Sequence, residues 1–316
     1  MTHPYYQQPY RPSMEFLILM GLWLACFVAG SLATLPIWMV MTGKSFLTMG
    51  EDMKNPAYIN ALKTVQVVST VLIFFLPAYI TARIVSRQPL RHLGFGGGIK
   101  WNRAFLAVLI MLSALPLVAF LADVNKAIPI TAGMKKLFDS LESQYLEQVK
   151  MMATFRSPAD YVVALVVIAF FPALVEEVFF RGGLQAIFTR WYGNAWLAII
   201  VTSVIFSAIH FSWYGLIPRI TLGIVLGALF YYSGNLWYSI IGHFFNNALM
   251  VTVLYAQYLK NKKVDLEVGE SAPWWAGVLG AVALIALLLV FRRKLATKVY
   301  ADSIAASTGD APKKFV

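Results

Sequence analysis

The most apolar stretches of this sequence carry side chains that lipid does not accept cheaply. Glu176, Glu177 and Arg181 interrupt FPALVEEVFFRGGLQAIF, His210 closes FSAIH, and His243 and Asn247 bracket HFFNN. An ionisable group at the centre of a membrane helix costs roughly 2.5–3.5 kcal/mol to insert, so such groups are functional candidates by default. Glu177 and Arg181 stand at i and i+4, share a helix face and can pair. Glu176 is turned about 100° away and is left free. Two neighbouring carboxylates in a low dielectric resist joint ionisation, a setting that suits a general base. His243 and Asn247 also share one face at i and i+4.

A carboxylate, two imidazoles and an amide are the parts for hydrolysing an amide bond with activated water. Glu176, assisted by His210, takes a proton from water. His243 and Asn247 donate hydrogen bonds to the tetrahedral oxyanion. That scheme uses no cofactor. A second scheme holds Zn²⁺ through Glu176, His210 and His243 with one position open for water. No HExxH motif is present, and the pattern leaves both schemes standing. Serine chemistry fits less well, because Ser203, Ser207 and Ser212 lie near His210 without a GxSxG elbow. The single cysteine, Cys26, has no disulfide partner and reads as a packing residue. Each polar residue also has a plain reading, the Glu pair as a buried ion pair and a lone His as packing.

The elements that must position these residues follow from composition. The chain has 316 residues, 59% hydrophobic and 13% charged, and a mean hydropathy of +0.68. That balance predicts an all-α polytopic membrane bundle of about eight transmembrane helices. The apolar runs are 16–41, 64–85, 104–122, 160–189, 194–212, 216–233, 236–257 and 274–291. Run 160–189 exceeds what a bilayer needs and contains Pro172, a site for a kink. The organisation is a polar tail at 1–15, one transmembrane domain at 16–291 with the chemistry within about 160–250, and a basic, unstructured tail at 292–316.

Depth decides whether the polar residues can meet. Runs four and five turn near Trp191–Asn194, and runs six and seven turn near Gly234, on the same side. Glu176 then lies about 20 Å from its turn, His210 about 24 Å, and His243 and Asn247 about 14 and 20 Å. All converge at similar depth. Gly223 and Gly227 form a small-xxx-small pattern for close helix approach. Arg219 begins the sixth run and either reaches the interface or binds an anionic substrate group. Segment 123–159 mixes Lys135, Lys136, Asp139, Glu142, Glu147 and Lys150 with spaced apolar residues. It reads as an amphipathic helix at the interface, either a solvated loop helix or a cover over the site.

The net charge of +11 sits in short basic stretches beside apolar runs, which argues for an anionic membrane surface and against nucleic acid. The Lys/Arg bias, clearest at Arg83–Arg103 and Arg292-Arg293-Lys294, places both termini in the cytoplasm. The expected location is a cell membrane, taken as a bacterial inner membrane. The expected partners are lipid and a peptide or protein reaching the bilayer.

The motifs together resemble a known family. Glu176-Glu177-Val-Phe-Phe-Arg181 is similar to its EExxxR motif. Phe206-Ser-Ala-Ile-His210 is similar to its FxxxH motif, and His243-Phe-Phe-Asn-Asn247 to its HxxxN motif. The family is CPBP, the CAAX prenyl endopeptidases and bacteriocin-processing or immunity proteins. The resemblance covers about 160–250. It implies an intramembrane endopeptidase in which Glu176 activates water, Glu177, His210, His243 and Asn247 complete the site, and Arg181 and Phe206 support it. Family members are described both as glutamate proteases and as metalloproteases, so Zn²⁺ stays an alternative. A non-catalytic membrane scaffold or immunity factor and a proton-coupled transporter are the competing functions.

Overall fold

In the computed structural model, residues 10–262, 264 and 272–307 are described, with 294–307 as backbone only. The long helices are α1 (Pro12–Thr42), α2 (Pro56–Val85), α3 (Trp101–Lys126), α4 (Ala132–Met152), α5 (Pro158–Tyr192), α6 (Ala195–Ala208), α7 (Leu216–Ser233), α8 (Leu236–Asn261) and α9 (Trp274–Ser307). Seven of the described helices are long and apolar enough to cross a membrane. They are α1, α2, α3, α5, α7, α8 and residues 274–293 of α9. The fold is an all-helical, multi-pass membrane bundle. The fifth expected span is shorter than its apolar run: α6 has 14 residues and stops at Ala208. The chain turns at once, with Phe211 in the left-handed region at φ 51°, so His210 sits in a turn. The backbone of α9 stays helical to Ser307, past the apolar run ending at 291. The outermost parts of the expected tails, 1–9 and 308–316, lie outside the described residues.

Proline placement shapes two spans. In α5 the Phe171 N–H donates to Val166 O, five residues back, immediately before Pro172. In α2 the Leu76 N–H donates to Val71 O, again immediately before a proline, Pro77. A widened π turn of this kind absorbs the missing proline N–H. The expected kink at Pro172 therefore takes the form of a local widening of α5. A second π segment, Val178–Gln185, follows the Glu pair directly.

The hairpins form as the turn residues dictate. Gly193 (φ 66°) ends α5 and Gly234 (φ 60°) ends α7 in left-handed caps. Asn194 and Asn235 then accept from the first backbone N–H groups of α6 and α8. The core around the site joins α1, α2, α5, α6 and α8 through Leu19, Ala78, Phe179, Phe180, Phe206 and Ile240. A second core seats α9 on α3, α7 and α8. The amphipathic helix α4 crosses the α6–α7 turn. Phe138 stacks on Trp213 at 4.8 Å, Tyr214 donates to Asp139 at 2.5 Å, and Ser212 donates to Glu142 at 2.6 Å. Segment 123–159 thus keeps both of its expected features, a helix largely exposed along its length and contacts to the turn that carries His210.

Candidate active site

Glu177 is the hub. It is fully buried and receives three donors from two helices. Arg181 Nη1 donates to Oε1 at 2.5 Å, one turn along α5. His243 Nδ1, on α8, donates to the same oxygen at 2.8 Å. The Ser239 hydroxyl, also on α8, donates to Oε2. Burying a carboxylate is costly unless it is paired and hydrogen-bonded, and here both oxygens of Glu177 are engaged, Oε1 by two donors and Oε2 by one. The pairing expected from the i, i+4 spacing is present, and Glu176 is left over as expected.

Glu176 faces the other nitrogen of the same imidazole. His243 Nε2 lies 3.9 Å from Glu176 Oε2, beyond direct hydrogen-bond range. An oxygen atom about 2.8 Å from both would subtend close to a right angle, which a small reacting group can satisfy. One imidazole thus links two carboxylates that do different jobs. The first is fully buried with both oxygens bonded, and the second has an open approach.

Phe206 ties the remaining parts together. Its ring lies under the Arg181 guanidinium at 4.7 Å. It meets His210 edge-on at 5.0 Å and His243 at 5.8 Å. His210 Nδ1 is 2.8 Å from Phe206 O. A carbonyl can only accept, so Nδ1 carries the hydrogen and Nε2 is left with its lone pair. The structure therefore gathers Arg181, His210 and His243 around the Phe206 ring, with Glu177 bonded to Arg181 and His243 and with Glu176 facing His243. Asn247 lies one turn beyond His243, where its carboxamide oxygen accepts from Asn246 at 3.4 Å.

Close packing sets these positions. Arg181 Nη2 donates to Gly223 O at 3.2 Å, and Gln185 Nε2 to Gly227 O at 3.0 Å. A Cβ on Gly223 would lie 2.9 Å from the Ser203 Cβ, and one on Gly227 would lie 2.7 Å from Gln185 Oε1. The small-xxx-small pattern thus lets α7 offer two carbonyls to the buried face of α5. Gly182 is equally confined, since a Cβ there would meet Leu93 O at 2.7 Å.

Sequence reasoning passed over three contributors. Ser239 stands at i−4 from His243 and was visible on the same stripe. Gln185 extends the Glu177–Arg181 row by another four residues. Asn125 is fully buried at the end of α3. Its amide donates to Trp213 O at 2.8 Å, and its oxygen accepts from Ile217 N at 3.0 Å, pinning the turn that carries His210. No local pattern marks Asn125.

Residues 158–249 match the family model for the type II CAAX prenyl endopeptidase, Rce1-like. This stretch of the chain is thus similar to an Rce1-like domain, in line with the resemblance carried by the motifs. No curated protein and no solved structure matches the chain. The matched stretch begins at the start of α5 and ends within α8, and every site residue from Glu176 to Asn247 falls inside it. The match supports an intramembrane peptidase of the CAAX type. The three side chains considered for Zn²⁺, Glu176, His210 and His243, do not converge. Among the described residues no three His, Cys, Asp or Glu side chains are grouped to hold a metal ion. His243 Nδ1 is engaged by Glu177, and His210 and His243 each meet the Phe206 ring edge-on.

Proposed function

We propose that the protein is an endopeptidase that hydrolyses a peptide bond of a membrane-associated protein or peptide with water activated by Glu176. The observation that carries this reading is the approach of Glu176 to His243 Nε2 while Glu177 holds Arg181, Ser239 and His243 Nδ1. With Nδ1 held by Glu177, Nε2 is the His243 nitrogen that faces Glu176 and the reacting oxygen between them.

Glu176 takes a proton from water, and the hydroxide oxygen bonds to the scissile carbonyl carbon as the C=O π pair moves to oxygen. The oxyanion is met by His243 Nε2 and by the Asn247 amide one turn along α8. The C–N bond then breaks, and Glu176 returns its proton to the leaving amine. His210, with Nε2 as an acceptor, orients the water or holds its second proton. Arg181 and Phe206 act through Glu177 and His243 and are positioning residues. Seven long crossings and one short one return the chain to its starting side, in keeping with both termini in the cytoplasm of a bacterial inner membrane.

The test compares membrane and secreted peptides, by mass spectrometry, from cells holding wild-type protein or Glu176→Gln at equal abundance. New peptide termini should appear only with wild type, and purified protein should lose about 10²–10⁴-fold in cleavage rate on substitution. Identical peptide sets with the cellular phenotype intact in both would overturn hydrolysis in favour of the scaffold. Substrate flux that survives Glu176→Gln without any cleavage product would favour the transporter.

A further inference from the structure

His210 stands in a turn, between Ala208 at the end of α6 and Leu216 at the start of α7. Its neighbour Phe211 is left-handed at φ 51° with its side chain 72% exposed, so burial of that ring does not hold the backbone. A bulky residue keeps such a conformation only where its surroundings fix it. Inside the hairpin, the Ser207 hydroxyl donates to Leu216 O at 2.8 Å. From α3, Asn125 holds Trp213 O and Ile217 N. From α4 come contacts to Ser212, Trp213 and Tyr214, made by Glu142, Phe138 and Asp139 respectively. Of these Glu142 reaches deepest. Ser212 is only 3% exposed. Its hydroxyl donates to Glu142 Oε2 at 2.6 Å and accepts from the Gly215 N–H at 3.2 Å. Ser212 thereby joins a carboxylate of α4 to the backbone that closes the His210 turn. A hydrogen bond to a carboxylate is roughly twice as strong as a neutral one. The Asp139–Tyr214 bond lies at the surface, where water competes for both partners.

The helix depends on this turn in its own right. Of the residues of α4, Met152 alone is buried. Phe138, Asp139, Glu142 and Tyr145 stand at i, i+1, i+4 and i+7, on one face, and all four meet residues between Ser212 and Arg219. Its contacts to Gln66 of α2, through Gln148 at 3.4 Å, and to Lys54, through Glu147 at 3.8 Å, are exposed. A helix with so little buried surface belongs to the low-stability end of a structure and opens before the core does. Coupling is reciprocal: whatever the turn contributes to seating α4, α4 contributes to ordering the turn.

We propose that Glu142 is a positioning residue, which through Ser212 ties the seating of α4 to the placement of His210, so that the site is complete only while α4 is seated. Lifting α4 loosens the turn, and reseating it restores the imidazole, a closure that assembles the reacting groups around a bound chain. The kinetic half rests on the peptidase reading, and the structural half is read without turnover. Hydrogen exchange over 206–216 and 132–152 is followed in full-length protein in nanodiscs. Cleavage is followed with a quenched-fluorescent library of apolar decapeptides, and the member cut fastest by wild type supplies kcat and KM. Glu142→Ala should lower the protection of 206–216 by about tenfold or more and reduce kcat similarly, with KM little changed. Glu142→Gln keeps an acceptor for Ser212 and should recover most of both. Ser212→Ala should match Glu142→Ala, and the double variant should be no worse than either. In a His210→Ala background, Glu142→Ala should lower kcat no further, because it acts through that imidazole. Glu147→Ala removes an α4 contact that does not touch the turn and should leave 206–216 and kcat as in wild type. Unchanged protection of 206–216 in Glu142→Ala overturns the proposal, as do additive losses with Ser212→Ala or His210→Ala. If the coupling is present in exchange but wild type cuts nothing in the library, the link between α4 and the turn stands and the hydrolytic reading fails.

Discussion

Two buried carboxylates organise this protein, and each is held by an arginine and a histidine. Glu177 binds Arg181 and His243 in the middle of the bundle. Glu15, at the start of α1, binds His92 Nε2 at 2.8 Å and Arg190 Nη2 at 2.5 Å near the opposite end of α5. The chemistry is the same, and the wiring differs. At Glu15 each oxygen takes one base, and the three residues join three separate stretches of chain. At Glu177 the histidine has a second carboxylate, Glu176, on its far side. A clamp closes its hydrogen bonds, whereas a reactive site leaves one direction open. The Glu15 cluster is read as a fastener, and the Glu177 cluster as a fastener with a working edge.

Breaking the comparison should give the largest effect at Arg181. Arg181→Met leaves Glu177 without its guanidinium and should cost about 3–5 kcal/mol in thermal or denaturant unfolding. Adding Glu177→Gln should restore most of that stability while cleavage stays lost. A double variant no more stable than the single one would show that Glu177 is not the hub. At the fastener, Glu15→Gln should cost about 2–3 kcal/mol and leave cleavage per folded molecule unchanged. A loss of turnover there without loss of stability would contradict its assignment as a clamp. Gly227→Ala should cost about 1–2 kcal/mol, because the new Cβ overpacks against Gln185 and Ile199.

The smallest effect concerns the cover helix. The Lys135 ammonium first, and then the Tyr214 hydroxyl, hold the Asp139 carboxyl below its usual range. A lowered carboxylate pKa contributes fully above the ordinary value and is lost as pH falls through the lowered one. Protection of α4 against hydrogen exchange, taken relative to the intrinsic rate at each pH, should therefore fall at acid pH in wild type. Asp139→Asn should flatten that dependence. Unaltered exchange in the variant would mean that the Phe138–Trp213 stack alone seats the helix.

What the sequence showed and what it hid follow one physical line. Contacts within a helical turn were legible: Glu177 with Arg181, the freedom of Glu176, and the stripe carrying His243 and Asn247. The two hairpin turns were legible from Gly and Asn. The Glu15 cluster was not, because its partners lie 77 and 175 residues away and local spacing carries no record of them. The early stop of α6 was hidden for another reason. Ile209 and Phe211 continue the apolar run, while the chain is turned by backbone geometry at Phe211 and by the distant Asn125. Hydropathy reports solvent preference and is blind to that.

The short α6 has a consequence for the bilayer itself. Fourteen residues rise only about 21 Å, against a hydrocarbon core of roughly 30 Å. A segment this much shorter than the hydrocarbon core is accommodated by local thinning of the bilayer, by snorkelling flanks or by association. Thinning would bring the polar boundary of the membrane towards the turn that bears His210.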